Sequence, residues 1–163
     1  MEARWLFDMQ PRDIQVVIHP QSVVHSAVEF EDGAVLAQLG IPDMRVPIQY
    51  AMAYPERLTT GAKPLDLFAL GQLTFERPDP ERFPALRLSV ECLEAGGAAC
   101  TVLNGANEEA VAAFLRDQIS FGQIGDLVEH ALDTVGPLPA RDLDDIFEAD
   151  ARARRAVREK LGA

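Results

Sequence analysis

Apolar positions come in short β-branched or alternating runs along the first third of the chain, and recur every three or four residues along its second half. Ile14, Val16, Val17 and Ile18 form a run that stops at His19-Pro20, the composition of a strand. Two further runs, 26–30 and 34–38, flank Glu31-Asp32-Gly33. Asp-Gly between such runs predicts a hairpin, because glycine accepts the positive φ that the turn requires. Gly40, Pro42 and Asp43 are turn chemistry, and Pro47 suits the first position of a short helix over 47–54. Between residues 55 and 84 stand five prolines (55, 64, 78, 80 and 84) together with Gly61 and Gly71, which predicts an extended arm and a boundary.

Beyond Phe83 the period lengthens to that of a helix. Phe83, Leu86, Val90 and Leu93 recur at helical spacing until Gly96-Gly97 stops them. A second segment, about 99–116, places Leu103, Ala106, Ala110 and Phe114 on one face. Ser120 with Gln123 reads as a capping box, followed by a stripe of Ile124, Leu127, Val128, Ala131, Leu132 and Val135 that Gly136-Pro137 ends. The last helix, about 142–161, carries Leu143, Ile146, Phe147, Val157 and Leu161. Four striped helices make a small bundle. The expected fold class is therefore α+β: part of a small mixed or antiparallel sheet with a hairpin, a proline-rich arm and a C-terminal four-helix bundle. The expected divisions are 1–54, 55–80 and 81–163.

Composition excludes several functions. At 163 residues, 48% hydrophobic and 25% charged, the chain is long enough to bury roughly 70% of its unfolded surface without staples. No apolar run approaches the ~20 residues of a membrane span, and no signal peptide is visible, so no membrane partner and a cytoplasmic location are expected. A net charge of −11 disfavours general nucleic-acid binding, which requires cations against phosphate. Arg152, Arg154, Arg155, Arg158 and Lys160 follow Asp142, Asp144, Asp145, Glu148 and Asp150. That order matches a helix dipole, with a polyanion patch as the lesser reading. Cys92 and Cys100 read as reduced, packed thiols.

Complete catalytic motifs are missing. Neither glycine-rich phosphate cradle is present, and His19, His25 and His130 form no recognised ligand pair. What concentrates polar and turn-forming residues is a short interval, His19-Pro20-Gln21-Ser22 with His25-Ser26, and then residues 40–45. Loops at strand ends are where sites are built, so the residues alone indicate a pocket edge.

A set of ordered blocks goes further. Residues 2–7 (Glu-Ala-Arg-Trp-Leu-Phe), 18–22 (Ile-His-Pro-Gln-Ser) with His25-Ser26, 37–40 (Ala-Gln-Leu-Gly), 42–45 (Pro-Asp-Met-Arg) and Pro47-Ile48 resemble the 1-deoxy-D-xylulose 5-phosphate reductoisomerase family. So do 54–57 (Tyr-Pro-Glu-Arg), 65–68 (Leu-Asp-Leu-Phe), 73–76 (Leu-Thr-Phe-Glu) and Asn104, Ala106, Asn107 and Glu108. The resemblance runs in order from Glu2 to about Val157 and covers only the C-terminal part of the family, well under half of it.

The resemblance implies an NADPH-dependent enzyme of the non-mevalonate isoprenoid pathway. It isomerises and reduces 1-deoxy-D-xylulose 5-phosphate to 2-C-methyl-D-erythritol 4-phosphate with a divalent cation (Mg, Mn or Co), as a homodimer. It further implies that the dinucleotide-binding fold, the metal's acidic pair and the phosphate-holding segment lie outside these residues. The third metal carboxylate falls one helical turn before Glu2. A fragment inactive by itself, with no metal ligand and neither NADPH nor a cation bound, is thus expected. His25 matches the histidine lining the substrate site and is the catalytic candidate. Ser22 is a substrate-binding candidate at the strand end that it and His19 shape. Pro42 and Met44 match the turn that closes over nicotinamide and substrate, Met44 serving both. Asn104 and Asn107 are expected to bond neighbouring backbone, and Gly105 stands where the family usually has alanine, at a cost of up to ~1 kcal/mol to its helix. The alternative is a non-catalytic dimerisation or interaction module derived from the same family.

Overall fold

A computed structural model describes residues 1–162. The elements are α1 (Glu2–Leu6), a 3-10 turn at Pro11–Asp13, β1 (Val24–Glu29), β2 (Val35–Leu39), α2 (Arg45–Ala53), α3 (Leu67–Leu70), α4 (Ala85–Ala95), α5 (Ala99–Leu115), α6 (Gly122–Val135) and α7 (Leu143–Leu161). The described chain is α+β and separates into two compact units, one made of 1–15 and 79–163, the other of 16–78.

In the first unit α5 is the central helix, packed by α4, α6 and α7. Its buried residues are Val102, Leu103, Gly105, Ala106, Ala110 and Ala113, so the face is lined mostly by small side chains. They meet Leu88 and Cys92 of α4, Leu127, Val128 and Ala131 of α6, and Ala149, Ala153, Ala156 and Val157 of α7 in one core. The α6 stripe is as its period predicts. On α4 the buried face is Leu88 and Cys92, while Val90 is 43% exposed. On α7 the core comes from Val157, as its spacing predicts, and from Ala149, Ala153 and Ala156, with Leu143 and Phe147 at 72% and 68% exposed. Val157 and Leu88 are the large side chains these two helices bury, and small residues fill the rest of their contact with α5.

Gly105 marks a close approach of α5 to α7. A Cβ there would lie 2.6 Å from Asp150 Oδ1, 3.3 Å from the Asp150 carbonyl oxygen and 3.4 Å from Ala153 Cβ. Its missing side chain lets α7 reach α5, which accounts for a glycine at mid-helix despite its low propensity.

Ends and surfaces follow the expected electrostatics. Asp142 caps α7 by accepting from the Asp145 N–H at 3.0 Å, and Gly162 closes it in the left-handed conformation. Of the C-terminal cations, Arg152 pairs with Glu148, Arg154 with Asp150 and Glu108, and Arg158 with Glu109. The last two arginines tie α7 to α5. Asn104 donates to Glu108 Oε1 at 3.2 Å, so its amide serves this network instead of the backbone. Half of the capping box forms: the Ser120 N–H donates to Gln123 Oε1 at 2.8 Å. None of the described helices is long and apolar enough to cross a membrane.

The second unit is built differently. β1 and β2 pair antiparallel around Glu31-Asp32-Gly33, with Gly33 at φ +82° and the Ala34 N–H donating to Asp32 Oδ1 at 2.9 Å. The β-branched run over 14–18 is not a strand. Only Ile18 pairs, in an isolated antiparallel bridge with Glu76. The residues after Pro55 also bend back on their own unit: Arg57 stacks over the Tyr50 ring at 4.0 Å, and Asp66 caps α3. Of residues 16–78 Val23 alone is buried.

Two outcomes test the bundle. Gly105→Val should destabilise it by about 1–3 kcal/mol, as overpacking does, whereas Gly122→Ala, which meets open space in the first turn of α6, should be neutral or gain up to ~1 kcal/mol. Urea titration followed by helical circular dichroism reads both. The second concerns acid. Arg158 holds Glu109, and Arg154 holds Glu108, below the ordinary 4.5, so across that interval the unfolded chain binds more protons than the folded one. Their stabilisation is present above about 4.5 and lost as pH falls through the depressed folded values. The melting temperature should fall on acidification through that window, less steeply in high salt and less steeply in a Glu108→Gln/Glu109→Gln variant. An unchanged slope in that variant would rule the pairs out as the cause.

Candidate functional site

The candidate residues all lie in the second unit, at the open end of the hairpin: His25 on β1 and Ser22, Pro42 and Met44 on the adjoining loops. His25 sits at an irregularity in the ladder: Val24 pairs with Leu39 and Ser26 with Gln38, which leaves His25 as an extra residue on β1. Such bulges break the alternation of a strand and re-aim a side chain. The ring is anchored from behind, its Nδ1–H donating to the Val23 carbonyl at 2.9 Å. The same carbonyl accepts from the Gly40 N–H at 3.0 Å. That second bond brings the start of the 40–45 turn to the foot of β1.

Ser22 precedes this point at φ +50°, a left-handed conformation that costs a non-glycine residue roughly 1–2 kcal/mol. Its N–H donates to the His19 carbonyl at 3.0 Å, so residues 19–22 form a tight turn and Ser22 projects into solvent. Strained backbone of this kind collects at functional sites.

The 40–45 turn carries an ion pair. The Arg45 guanidinium and backbone N–H both donate to Asp43, the N–H at 3.0 Å. The side-chain bond, then the backbone one, holds the Asp43 carboxyl below its ordinary range. Pro42 and Met44 flank Asp43 and are exposed, Met44 to 69%. Ile48 and Met52 continue from Met44 at helical spacing along α2, at 52% and 84% exposure. The result is an exposed, soft apolar stripe led by Met44.

His19 faces another way. Its Nδ1–H donates to the Thr74 carbonyl at 2.8 Å and its ring stacks on Phe75 at 4.7 Å. Its Nε2 is buried without a hydrogen-bond partner. Gln21 adds to this clamp, donating to Thr74 Oγ1 at 2.8 Å and accepting from the Thr74 N–H at 3.2 Å. Thr74 and Phe75 are supports that reasoning from local pattern missed, since they stand more than fifty residues away. The only sign of them was the Leu73-Thr-Phe-Glu76 block.

Reactive groups in the bundle unit belong to its interior. Cys92 and Cys100 are free, and burial pushes the Cys92 thiol up to about 11. An apolar cavity of about 640 Å³ between α4, α5 and α6 is lined by Phe83, Leu88, Leu103, Val111, Phe121 and Val128. It contains none of the four candidate residues and no matched acid–base pair.

The chain thus combines a helical domain that owns its core with a hairpin unit that presents an anchored imidazole and a methionine-led turn from loops. The model of the DXP reductoisomerase C-terminal domain matches residues 39–156, and the chain belongs to that family. A 1-deoxy-D-xylulose 5-phosphate reductoisomerase of Aromatoleum aromaticum is 54% identical over 161 residues, covering 99% of this chain and 40% of that protein. A Pseudomonas aeruginosa protein of the same name is likewise 54% identical, over 41% of its length. Among solved structures, the reductoisomerase of Zymomonas mobilis in complex with NADPH superposes at a TM-score of 0.91 with 46% identity, covering 99% of this chain and 43% of that one. A DOX-P reductoisomerase in complex with NADPH, fosmidomycin and magnesium superposes at 0.93 with 44% identity, over 99% and 42%. The chain spans about two fifths of the length of the relatives it matches.

Native Cys92 should resist a thiol reagent at mildly alkaline pH, where a free cysteine is substantially thiolate. Mass spectrometry of the labelled native protein should find it unmodified until denaturant is added; modification at the rate of a free thiol would contradict its packing.

Proposed function

We propose that these residues form the C-terminal portion of an NADPH-dependent reductoisomerase converting 1-deoxy-D-xylulose 5-phosphate to 2-C-methyl-D-erythritol 4-phosphate, inactive as an isolated chain. The observation that carries this reading is the combination of 54% identity across 99% of the chain with an anchored, bulge-borne His25 in the matching block. In it His25 is the catalytic group. Imidazole suits the task, hydrogen-bonding a substrate hydroxyl or carbonyl while charge moves between oxygens during carbon–carbon rearrangement. Ser22 shapes the strand end and contacts substrate. Pro42 and Met44 close over substrate and nicotinamide, and the apolar thioether packs against a flat ring and excludes water.

NADPH and a divalent cation belong to this reading because relatives of known structure are complexes with NADPH and magnesium. The donor set within this chain holds neither unaided. Among the described residues no three His, Cys, Asp or Glu side chains gather as a metal site. The sequence has no glycine-rich dinucleotide cradle. What these residues supply is binding, orientation and exclusion of water at the substrate.

A homodimer fits the same reading. Leu36, Met52 and Phe68 of the hairpin unit are 67%, 84% and 100% exposed, and an isolated two-stranded sheet is marginal until another surface covers it. The same exposure favours the interaction-module alternative.

Enzyme kinetics discriminates between them. The test protein carries these 163 residues in place of the matching portion of the Pseudomonas aeruginosa relative. His25→Gln should lower its turnover on the order of 10²-fold and leave the melting temperature nearly unchanged. His130→Gln, on α6 of the other unit, should leave turnover alone. Equal behaviour of the two variants would remove His25 from catalysis.

A further inference from the structure

We propose that the neutral form of His25 is held as the tautomer protonated on Nδ1, so that Nε2 meets the substrate as a hydrogen-bond acceptor. This rests on the substrate-site reading of His25 given above. A carbonyl oxygen only accepts, so the ring nitrogen 2.9 Å from the Val23 carbonyl carries the hydrogen. Neutral imidazole has one N–H, and committing it to Nδ1 leaves a bare lone pair on Nε2. In a free histidine side chain the opposite form predominates, so the backbone is reversing an intrinsic preference.

The geometry that does so is built from three neighbours. The bulge frees His25 from the ladder alternation, allowing its ring to fold back onto the preceding carbonyl. The Gly40 N–H donates to the same carbonyl at 3.0 Å. Val23 itself is 5% exposed, the one buried anchor of its unit, so the carbonyl belongs to the best-held residue available.

The consequence is a directional preference in recognition. Neutral His25 accepts from a substrate hydroxyl through Nε2 and has no hydrogen there to give a carbonyl or phosphate oxygen. His19 repeats the device, with Nδ1–H on the Thr74 carbonyl. His130 does not, its Nε2 being 3.5 Å from Thr134 Oγ1 at the limit of a hydrogen bond.

The sequence contains three histidines, which makes the test direct. Two-bond proton–nitrogen correlation on the full chain labelled at histidine, with assignment by His19→Gln, His25→Gln and His130→Gln, reads each tautomer above the imidazole titration range. His25 and His19 should show a protonated Nδ1 and a bare Nε2, and His130 the pattern of a free side chain. Nε2–H predominating at His25, or a His25 pattern identical to that of His130, overturns the proposal. A kinetic arm uses the chimeric enzyme. Glutamine places an accepting oxygen where Nε2 stood, whereas asparagine reaches only the Nδ1 position, so His25→Asn should lose at least tenfold more turnover than His25→Gln. Asparagine equal to or better than glutamine overturns the tautomer alone. Turnover unchanged in both His25→Gln and His25→Asn instead overturns the underlying assignment of His25.

Discussion

One carbonyl group organises the candidate site. Val23 O accepts the N–H of Gly40, which starts the 40–45 turn, and the Nδ1–H of His25, which orients the imidazole. The same residue is the single one of residues 16–78 that is buried as a whole. Loop geometry, ring orientation and local burial therefore converge on one position. A backbone acceptor with two donors engaged is a stiff support, since moving either partner leaves a donor unsatisfied. The left-handed Ser22 just before it turns the chain into this arrangement, and the Asp43–Arg45 pair holds the turn that follows.

The other unit is stabilised by closeness of approach. Small side chains line α5 and α7, and Gly105 admits the Asp150 region where a methyl group would collide. The ion pairs from Arg154 and Arg158 to Glu108 and Glu109 run across the same helix pair. Exposed pairs of this kind stabilise little individually, so their part is alignment of two helices already brought together by packing. The contrast between the units is physical: one buries a continuous core, the other a single valine and a wide apolar exterior.

Legibility in the sequence followed side-chain size and contact range. The hairpin was readable from Asp-Gly between β-branched runs, and α6 from its stripe of large aliphatics, because both signals are local. The buried faces of α4 and α7 are legible only in part: Val157 is core as its spacing predicts, but Leu88 and Cys92 are buried where Leu86 and Val90 are not, and alanines where Leu143 and Phe147 are not. The run over 14–18 looked like a strand but pairs only through Ile18, on a partner nearly sixty residues later. The site divides in the same way. His25, Ser22, Pro42 and Met44 stand out through the family blocks, whereas the bulge and the Val23 carbonyl are properties of backbone pairing that side-chain identity does not encode. The Thr74–Phe75 clamp on His19 is a long-range contact of the same kind.

The central claim is that these residues complete an NADPH-dependent reductoisomerase and do no chemistry in isolation. The most direct measurement is 1-deoxy-D-xylulose 5-phosphate-dependent oxidation of NADPH, compared between the isolated chain and the chimera that carries it on the N-terminal portion of the Pseudomonas aeruginosa relative. The account predicts turnover by the chimera within about tenfold of the parent enzyme, the scale on which a change of 1.4 kcal/mol acts, and none by the chain. A folded chimera without activity, or an isolated chain that turns over substrate, would contradict it.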